Sequence, residues 1–186
     1  MSAALVPGQP VLETARLRLR AMSPDDGADI TLMLRLLNDP GFIHHIADRG
    51  VRTPEQARDY VRHGACRSYA AHGYGMYAVQ EKAGGALIGN CGLVRREGLD
   101  GPDLGYALLP EFCGRGYARE AAEGVMAHAR RRLALGDLLA IVNPDNAVSI
   151  ALLRKLGFGF ETMTALPHVE REVMLFRHSV SVEPAA

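Results

Sequence analysis

Arg16-Leu-Arg-Leu-Arg20 alternates charged and apolar residues with period two, the pattern of a strand buried on one face. Ser23-Pro24-Asp-Asp26 then offers a cap, a proline suited to a first helical turn, and acids that complement a helix dipole. Ile30, Leu32, Met33, Leu34, Leu36 and Leu37 supply the apolar surface of a helix reaching about Asn38, where Pro40 and Gly41 stop it. Thr53-Pro-Glu-Gln56 fits a capping box and predicts a second helix carrying Ala57, Tyr60, Val61 and Ala65 and ending near Gly73. Residues 75–80 and 86–94 read as an antiparallel hairpin across Lys82-Ala-Gly-Gly, and residues 95–102 as an exposed, glycine-rich loop.

Farther on, Leu104 to Leu109 reads as a strand stopped by Pro110, followed by a glycine turn and a helix from Tyr117 to about Leu133. Leu138 to Val142 is a strand, and Asp145 or Asn146 caps a last helix that ends at Gly157. Phe158 to Met163 and Glu170 to Arg177 form a closing hairpin, and Ser179 to Ala186 a frayed tail. No repeat or linker divides the chain, so one domain over 1–186 is expected, with its core at about 14–177.

The turn between the strand at Leu104 and the helix at Tyr117 carries the chemistry. Gly114 and Gly116 let the backbone turn tightly and approach a ligand with no Cβ in the way. A helix opening after such a turn points unpaired N–H groups outward, and its dipole favours an anion there. Arg115 and Arg119 add cationic side chains. Together these make a phosphate cradle. It is neither a Walker loop nor a dinucleotide fingerprint, whose residue spacings are absent.

Composition limits what the cradle can serve. The 186 residues are 48% apolar and 23% charged, an ordinary globular balance. Lys+Arg and Asp+Glu are equal at 21 each, so no global field recruits nucleic acid or an anionic membrane. Any anion binding is therefore local. Cys66, Cys91 and Cys113 make neither a disulfide framework nor a zinc site, and a reducing compartment is the simplest reading. The first residues lack a basic segment followed by a long apolar core, and no apolar run reaches a membrane span, so a cytoplasmic protein is expected.

Pro110-Glu-Phe-Cys-Gly-Arg-Gly-Tyr-Ala118 resembles the acyl-CoA-binding motif of the GNAT N-acetyltransferases, Gln/Arg-x-x-Gly-x-Gly/Ala. Gly116 and Ala118 fall on its last two positions, while Cys113 stands where Gln or Arg is commonest. Asn143-Pro-Asp-Asn146 to Phe158 resembles the family's Asn-x-x-Ser segment followed by Leu-x-Lys-Leu-Gly-Phe. The strands and caps from Thr14 to Asp26 and from Tyr77 to Val94 match as well, most like the branch of ribosomal-protein N-terminal alanine and serine acetyltransferases. The resemblance implies an α/β (α+β) GNAT fold: a mixed sheet of six to seven strands, about four flanking helices, and two central strands splayed apart.

It also implies acetyl-CoA as cosubstrate, with no metal. The pyrophosphate would rest on Cys113, Gly114, Arg115, Gly116, Tyr117, Ala118 and Arg119. The pantetheine arm would run along Leu108 and Leu109 with help from Asn146, and Ser149 would donate toward the CoA sulfur. The tyrosine acid of many relatives is replaced by Leu153, and a strand acid of others by Ile141. Candidate bases are Glu97, Asp103, Glu161, His168 and Glu170. Glu161 and His168 stand ahead because the closing hairpin should face the acceptor groove.

The activity implied is acetyl transfer to a primary amine, with a protein N-terminal α-amine as the acceptor of the nearest branch. A non-catalytic CoA-binding or sensor domain, and a polyamine or aminoglycoside acetyltransferase, stay open. So does a homodimer. Nucleic acid and membrane are not expected as partners. Other features read blandly. Arg130 to Arg132 complement a helix C-terminus, and Tyr74, Tyr77, Phe112 and Phe158 form core or groove wall. His44-His45 does not share a helix face, and no third metal ligand is spaced to help.

Overall fold

A computed structural model describes residues 5–179. Eight strands form one sheet in the order β1-β2-β3-β4-β5-β6-β8-β7. They are β1 (Pro10–Glu13), β2 (Leu17–Ala21), β3 (Met76–Glu81), β4 (Leu87–Arg95), β5 (Pro102–Leu108), β6 (Leu138–Val142), β7 (Gly159–Thr164) and β8 (Val173–His178). Neighbours pair antiparallel except β5 and β6, which are parallel. Among the described residues there are five helices: α1 (Gly27–Leu37), α2 (Pro40–His45), a long helix of α3 (Pro54–Val61) and α4 (Arg67–His72), α5 (Tyr117–Arg131) and α6 (Ala147–Lys155). A π-turn at Arg62–Cys66 joins α3 to α4, and Gly73 ends the run in the left-handed region.

The mixed, splayed sheet is the expected class, with one strand and one helix more than expected. β1 is four residues long and pairs only with β2, too short for a period-two pattern to show. Pro40 does stop α1, but it also opens α2 at its first position, where Phe42 N donates to the capping Asp39 Oδ1 (3.0 Å). The cap of α1 is Asp26, which accepts from Ala28 N (2.9 Å), not Ser23. Ser23 instead donates its N–H to Asp29 Oδ2 (2.8 Å), which also receives Arg20 Nη1 (2.7 Å). That buried ion pair fastens α1 to β2. The capping box at Thr53 and Gln56 forms as expected, and Asn146 caps α6. The expected tail from Ser179 lies, beyond Ser179 itself, outside the described residues.

Leu17 and Leu19 of β2 alternate into a core that also holds Tyr77 and Val79 of β3, Ile88, Cys91 and Leu93 of β4, Leu36 of α1 and Ala121, Ala122 and Val125 of α5. β3 and β4 are buried at consecutive positions, as central strands covered on both faces are. A smaller cluster of Leu99, Leu139, Leu166, Val173 and Leu175 fills the far end of the sheet. No helix among the described residues is long and apolar enough to cross a membrane.

Gly92 marks where the core tolerates least. A Cβ there would lie 2.0 Å from Gly75 O and 2.7 Å from Met76 Cα, backbone atoms that cannot swing aside. Gly92→Ala is therefore expected to destabilise the fold by about 3 kcal/mol, the upper end of overpacking costs. Urea denaturation monitored by circular dichroism checks this, and an unchanged midpoint would contradict it.

Candidate active site

β5 and β6 pair at only one position, Asp103 with Leu139. Past it β5 stays paired to β4 as far as Leu108, while β6 pairs with β8 on its other side. A gap opens between the two central strands. Leu109 donates its N–H to Ile88 O (2.8 Å), on the β4 side. Because N–H groups alternate sides along a strand, those of Leu108 and Tyr106 face the gap. One end of the gap is closed by Pro110–Phe112, a 3₁₀ turn that aims the chain at α5.

Gly114 (φ +74°) and Gly116 (φ +81°) make the turn in the left-handed region, where a side chain is strained. Gly116 is the N-cap of α5 and offers no side-chain cap. The first intrahelical bond comes from Glu120 N to Gly116 O (3.1 Å), which leaves the N–H groups of Tyr117, Ala118 and Arg119 outward and unpaired within the helix. The buried stripe Tyr117, Ala121, Ala122, Val125 and Ala129 fixes that helix against the sheet.

A cation that local spacing does not mark joins them. Arg16, from the turn before β2, lies over the Tyr117 ring (4.4 Å), donates to Arg115 O (3.1 Å) and pairs with Glu120 (2.6 Å). Arg115 stands over the rings of Tyr117 (5.1 Å) and Phe112 (5.7 Å), with Glu81 3.6 Å away. Arg119 is held one turn back by Glu123 (2.8 Å). The cradle thus combines free amides with guanidiniums kept in place by aromatic faces and acids.

Across the gap, Asn146 caps α6 by accepting from Ser149 N (3.0 Å), which sets the Ser149 side chain one turn in. Ser149 Oγ meets the Tyr106 hydroxyl at 2.8 Å. Burial pushes the Tyr106 phenol up to about 12, so it stays protonated at neutral pH and can donate to Ser149. Ser149 then keeps its own proton for a third partner. Tyr106 escapes a sequence reading because it looks like one more apolar strand residue. Leu153, where the resemblance would place a tyrosine, is fully buried core.

A single cleft of about 2130 Å³ takes in Leu108, Cys113, Gly114, Gly116, Tyr117, Ala118, Arg119, Asn146 and Ser149, and also Asn90, Asp103, His168 and Glu170. Asp103 is 1% exposed, and both its carboxylate oxygens receive Arg96 Nε (3.1 and 3.0 Å). Burial raises its carboxyl, and Arg96 opposes that rise. Asn90, 6% exposed, has its Nδ2 3.8 Å from Met33 Sδ and its Oδ1 without a hydrogen-bond partner among the described residues. It is an unspent acceptor in the cleft wall, and nothing in the chain around it signals that.

Glu161 is not brought to the cleft. It sits on β7, the outer edge of the sheet, where Arg177 Nε donates to it at 2.6 Å. The closing hairpin reaches the cleft through its loop, which carries His168 (φ +63°) and Glu170, and through Val173 at the start of β8. Glu97, in the loop after β4, does not line it. The fold does bring Asp145 beside His44 and His45, a third potential ligand that chain spacing hides.

Residues 16–159 match the family described as acetyltransferase (GNAT) domain. The uncharacterized protein YkkB of Bacillus subtilis is 30% identical over 151 residues, covering 80% of this chain and 85% of that protein. An acetyltransferase structure from Agrobacterium tumefaciens shares the fold at a TM-score of 0.76 and 24% identity, over 95% of this chain and 98% of that one. RimL, described as a ribosomal L7/L12 α-N-protein acetyltransferase in complex with coenzyme A, does so at 0.77 and 19%, over 92% and 98%. The split sheet, the glycine cradle and these matches agree: the chain belongs to the GNAT acetyltransferase family and is an acyltransferase.

Proposed function

We propose that the protein transfers the acetyl group of acetyl-CoA to a primary amine, with a protein N-terminal α-amine as acceptor. The observation that carries this reading is the Tyr106–Ser149 hydroxyl pair beside the gap, with the uncapped N-terminus of α5 at the other end of the same cleft. Amides of Tyr117, Ala118 and Arg119, with Arg115 and Arg16, would hold the pyrophosphate. The pantetheine arm would extend along Leu108, since Leu109 is buried with its N–H bonded to β4 and does not line the cleft, and the nitrogen of Asn146, unused in capping, would bond to it.

In the reaction the amine lone pair attacks the thioester carbon, and an N–H of β5 facing the gap takes the charge growing on the carbonyl oxygen. The tetrahedral intermediate collapses by breaking the C–S bond. Ser149 donates toward the departing sulfur while the Tyr106 hydroxyl donates to Ser149. Asn90 Oδ1 accepts an N–H of the incoming amine. Positioning supplies much of the rate, since orientation alone can remove ~7–11 kcal/mol from a bimolecular barrier.

The acceptor class follows from the base. Asp103 is occupied by Arg96, and the remaining cleft candidates, His168 and Glu170, stand on the hairpin loop. An α-amine with a pKa of roughly 7.7–8.0 is about a third neutral at pH 7.5; lysine, near 10.4, is neutral in roughly one part in a thousand. A site without a committed base favours the first, with water carrying the proton away. The α-N activity described for RimL supports the same class. The three cysteines are free thiols, in keeping with a reducing cytoplasm.

The test is one peptide with both a free N-terminus and an internal lysine, incubated with enzyme and acetyl-CoA and mapped by tandem mass spectrometry. Acetyl on the α-nitrogen alone is expected. Acetyl on lysine, with the α-amine untouched, would overturn the acceptor assignment.

A further inference from the structure

His44 and His45 close α2, and successive helix residues point in different directions, so the pair alone makes no chelate. The fold adds a third group by laying the turn before α6 against them. Asp145 Oδ2 lies 3.6 Å from His44 Nε2, and Oδ1 lies 3.8 Å from His45 Nδ1. The three groups each offer one atom, all within 4.8 Å of one another. These separations are too long for hydrogen bonds. His45 Nδ1 is shielded from solvent and has no hydrogen-bond partner among the described residues.

The same separations suit a shared ion. Ligands at ~2.0–2.1 Å from a tetrahedral zinc stand about 3.4 Å apart, so the edge from the chosen carboxylate oxygen to its nearer histidine, 3.6 or 3.8 Å, needs to shrink by only a few tenths of an ångström, and side-chain rotation brings the other edges in from at most 4.8 Å. A bond that leaves the ring nitrogens untouched holds the frame: Asn143, itself 5% exposed, donates Nδ2 to His45 O (2.6 Å).

We propose that His44 Nε2, His45 Nδ1 and a carboxylate oxygen of Asp145 form a binding site for a divalent transition-metal ion such as zinc. Two imidazoles and one carboxylate select such an ion over magnesium or calcium, which prefer all-oxygen shells. The side chains are 64%, 37% and 44% exposed, which leaves the fourth position to water. Arg171 Nη1 stands 3.5 Å from Asp145 Oδ2, and that guanidinium must turn aside, so the site is weaker than a dedicated structural zinc centre. His45 and Asn146 both line the cleft, so the ion ties α2 to the cap of α6 across its rim.

The test titrates the full chain, without acetyl-CoA, with cobalt chloride read by visible d–d absorption and with zinc chloride read by calorimetry. One equivalent is expected to saturate a tetrahedral-type cobalt spectrum. His44→Ala and the isosteric Asp145→Asn should each weaken binding roughly tenfold or more by removing one of three ligands, while His72→Ala leaves it unchanged. His44 is exposed and its ring makes no hydrogen bond among the described residues, and circular dichroism verifies that each variant folds. Absence of the cobalt spectrum, or binding unchanged in both ligand variants, would overturn the proposal.

Discussion

Gly116→Trp is expected to abolish measurable acetyl-CoA binding and leave the protein folded. Gly116 sits at φ +81° as the N-cap of α5, at the point where the amides of Tyr117, Ala118 and Arg119 open to the cleft. A Cβ added there meets only Arg16 Nη2, at 3.4 Å, the far end of a flexible side chain. The fold therefore bears only the left-handed strain, ~1–2 kcal/mol against a domain stability of roughly 5–15 kcal/mol. The indole, however, occupies the space an anion would need. Losing two charge-assisted bonds at ~1.5–3 kcal/mol each raises Kd by at least roughly a hundredfold. Calorimetric titration with CoA, beside a thermal melt, checks both halves. Unchanged affinity in a folded variant would sink the assignment of the cradle.

Ser149→Ala is expected to lower kcat about a hundredfold while KM for acetyl-CoA moves only a few-fold. The hydroxyl acts on a sulfur that carries charge only as the C–S bond breaks, so its loss is felt in the transition state and little in the ground state. General-acid contributions of about 10²–10⁴ set the scale. Tyr106 works through Ser149, as a positioning residue. Tyr106→Phe keeps the ring in its strand but removes the donor 2.8 Å from Ser149 Oγ, and kcat should fall roughly tenfold. The double variant should be no slower than Ser149→Ala alone, because the two hydroxyls act as one unit. Steady-state kinetics of the three variants decide it. Additive losses would mean that Tyr106 acts independently, and an unchanged kcat in Ser149→Ala would remove it from the chemistry.

The parts of the fold and site legible in the sequence are those whose signals are local. Alternation at Arg16 to Arg20, the capping box at Thr53 and Gln56, and the apolar run Leu138 to Val142 each declare their element within a few residues. The glycines at 114 and 116 declare the cradle for the same reason, since only an unusual backbone needs two glycines there. What escaped depends on partners far along the chain. Tyr106 gains its place from a hydroxyl 43 residues later, and Asp145 meets His45 only because Asn143 and α2 are drawn together. Glu161 is expected near the acceptor because the closing hairpin should face the groove, but nothing local tells which strand of that hairpin lies outermost. Pairing β7 outside β8 put it at the sheet edge, beside Arg177.

The most direct test of the whole account is thiol release from acetyl-CoA by the wild-type protein, measured against N-terminal peptides, lysine peptides, polyamines and aminoglycosides. Saturable release is expected with an N-terminal peptide, at rates well above those of the other amines near neutral pH. CoA binding with no release across the panel would contradict it and leave a CoA-binding protein that does no chemistry on these amines.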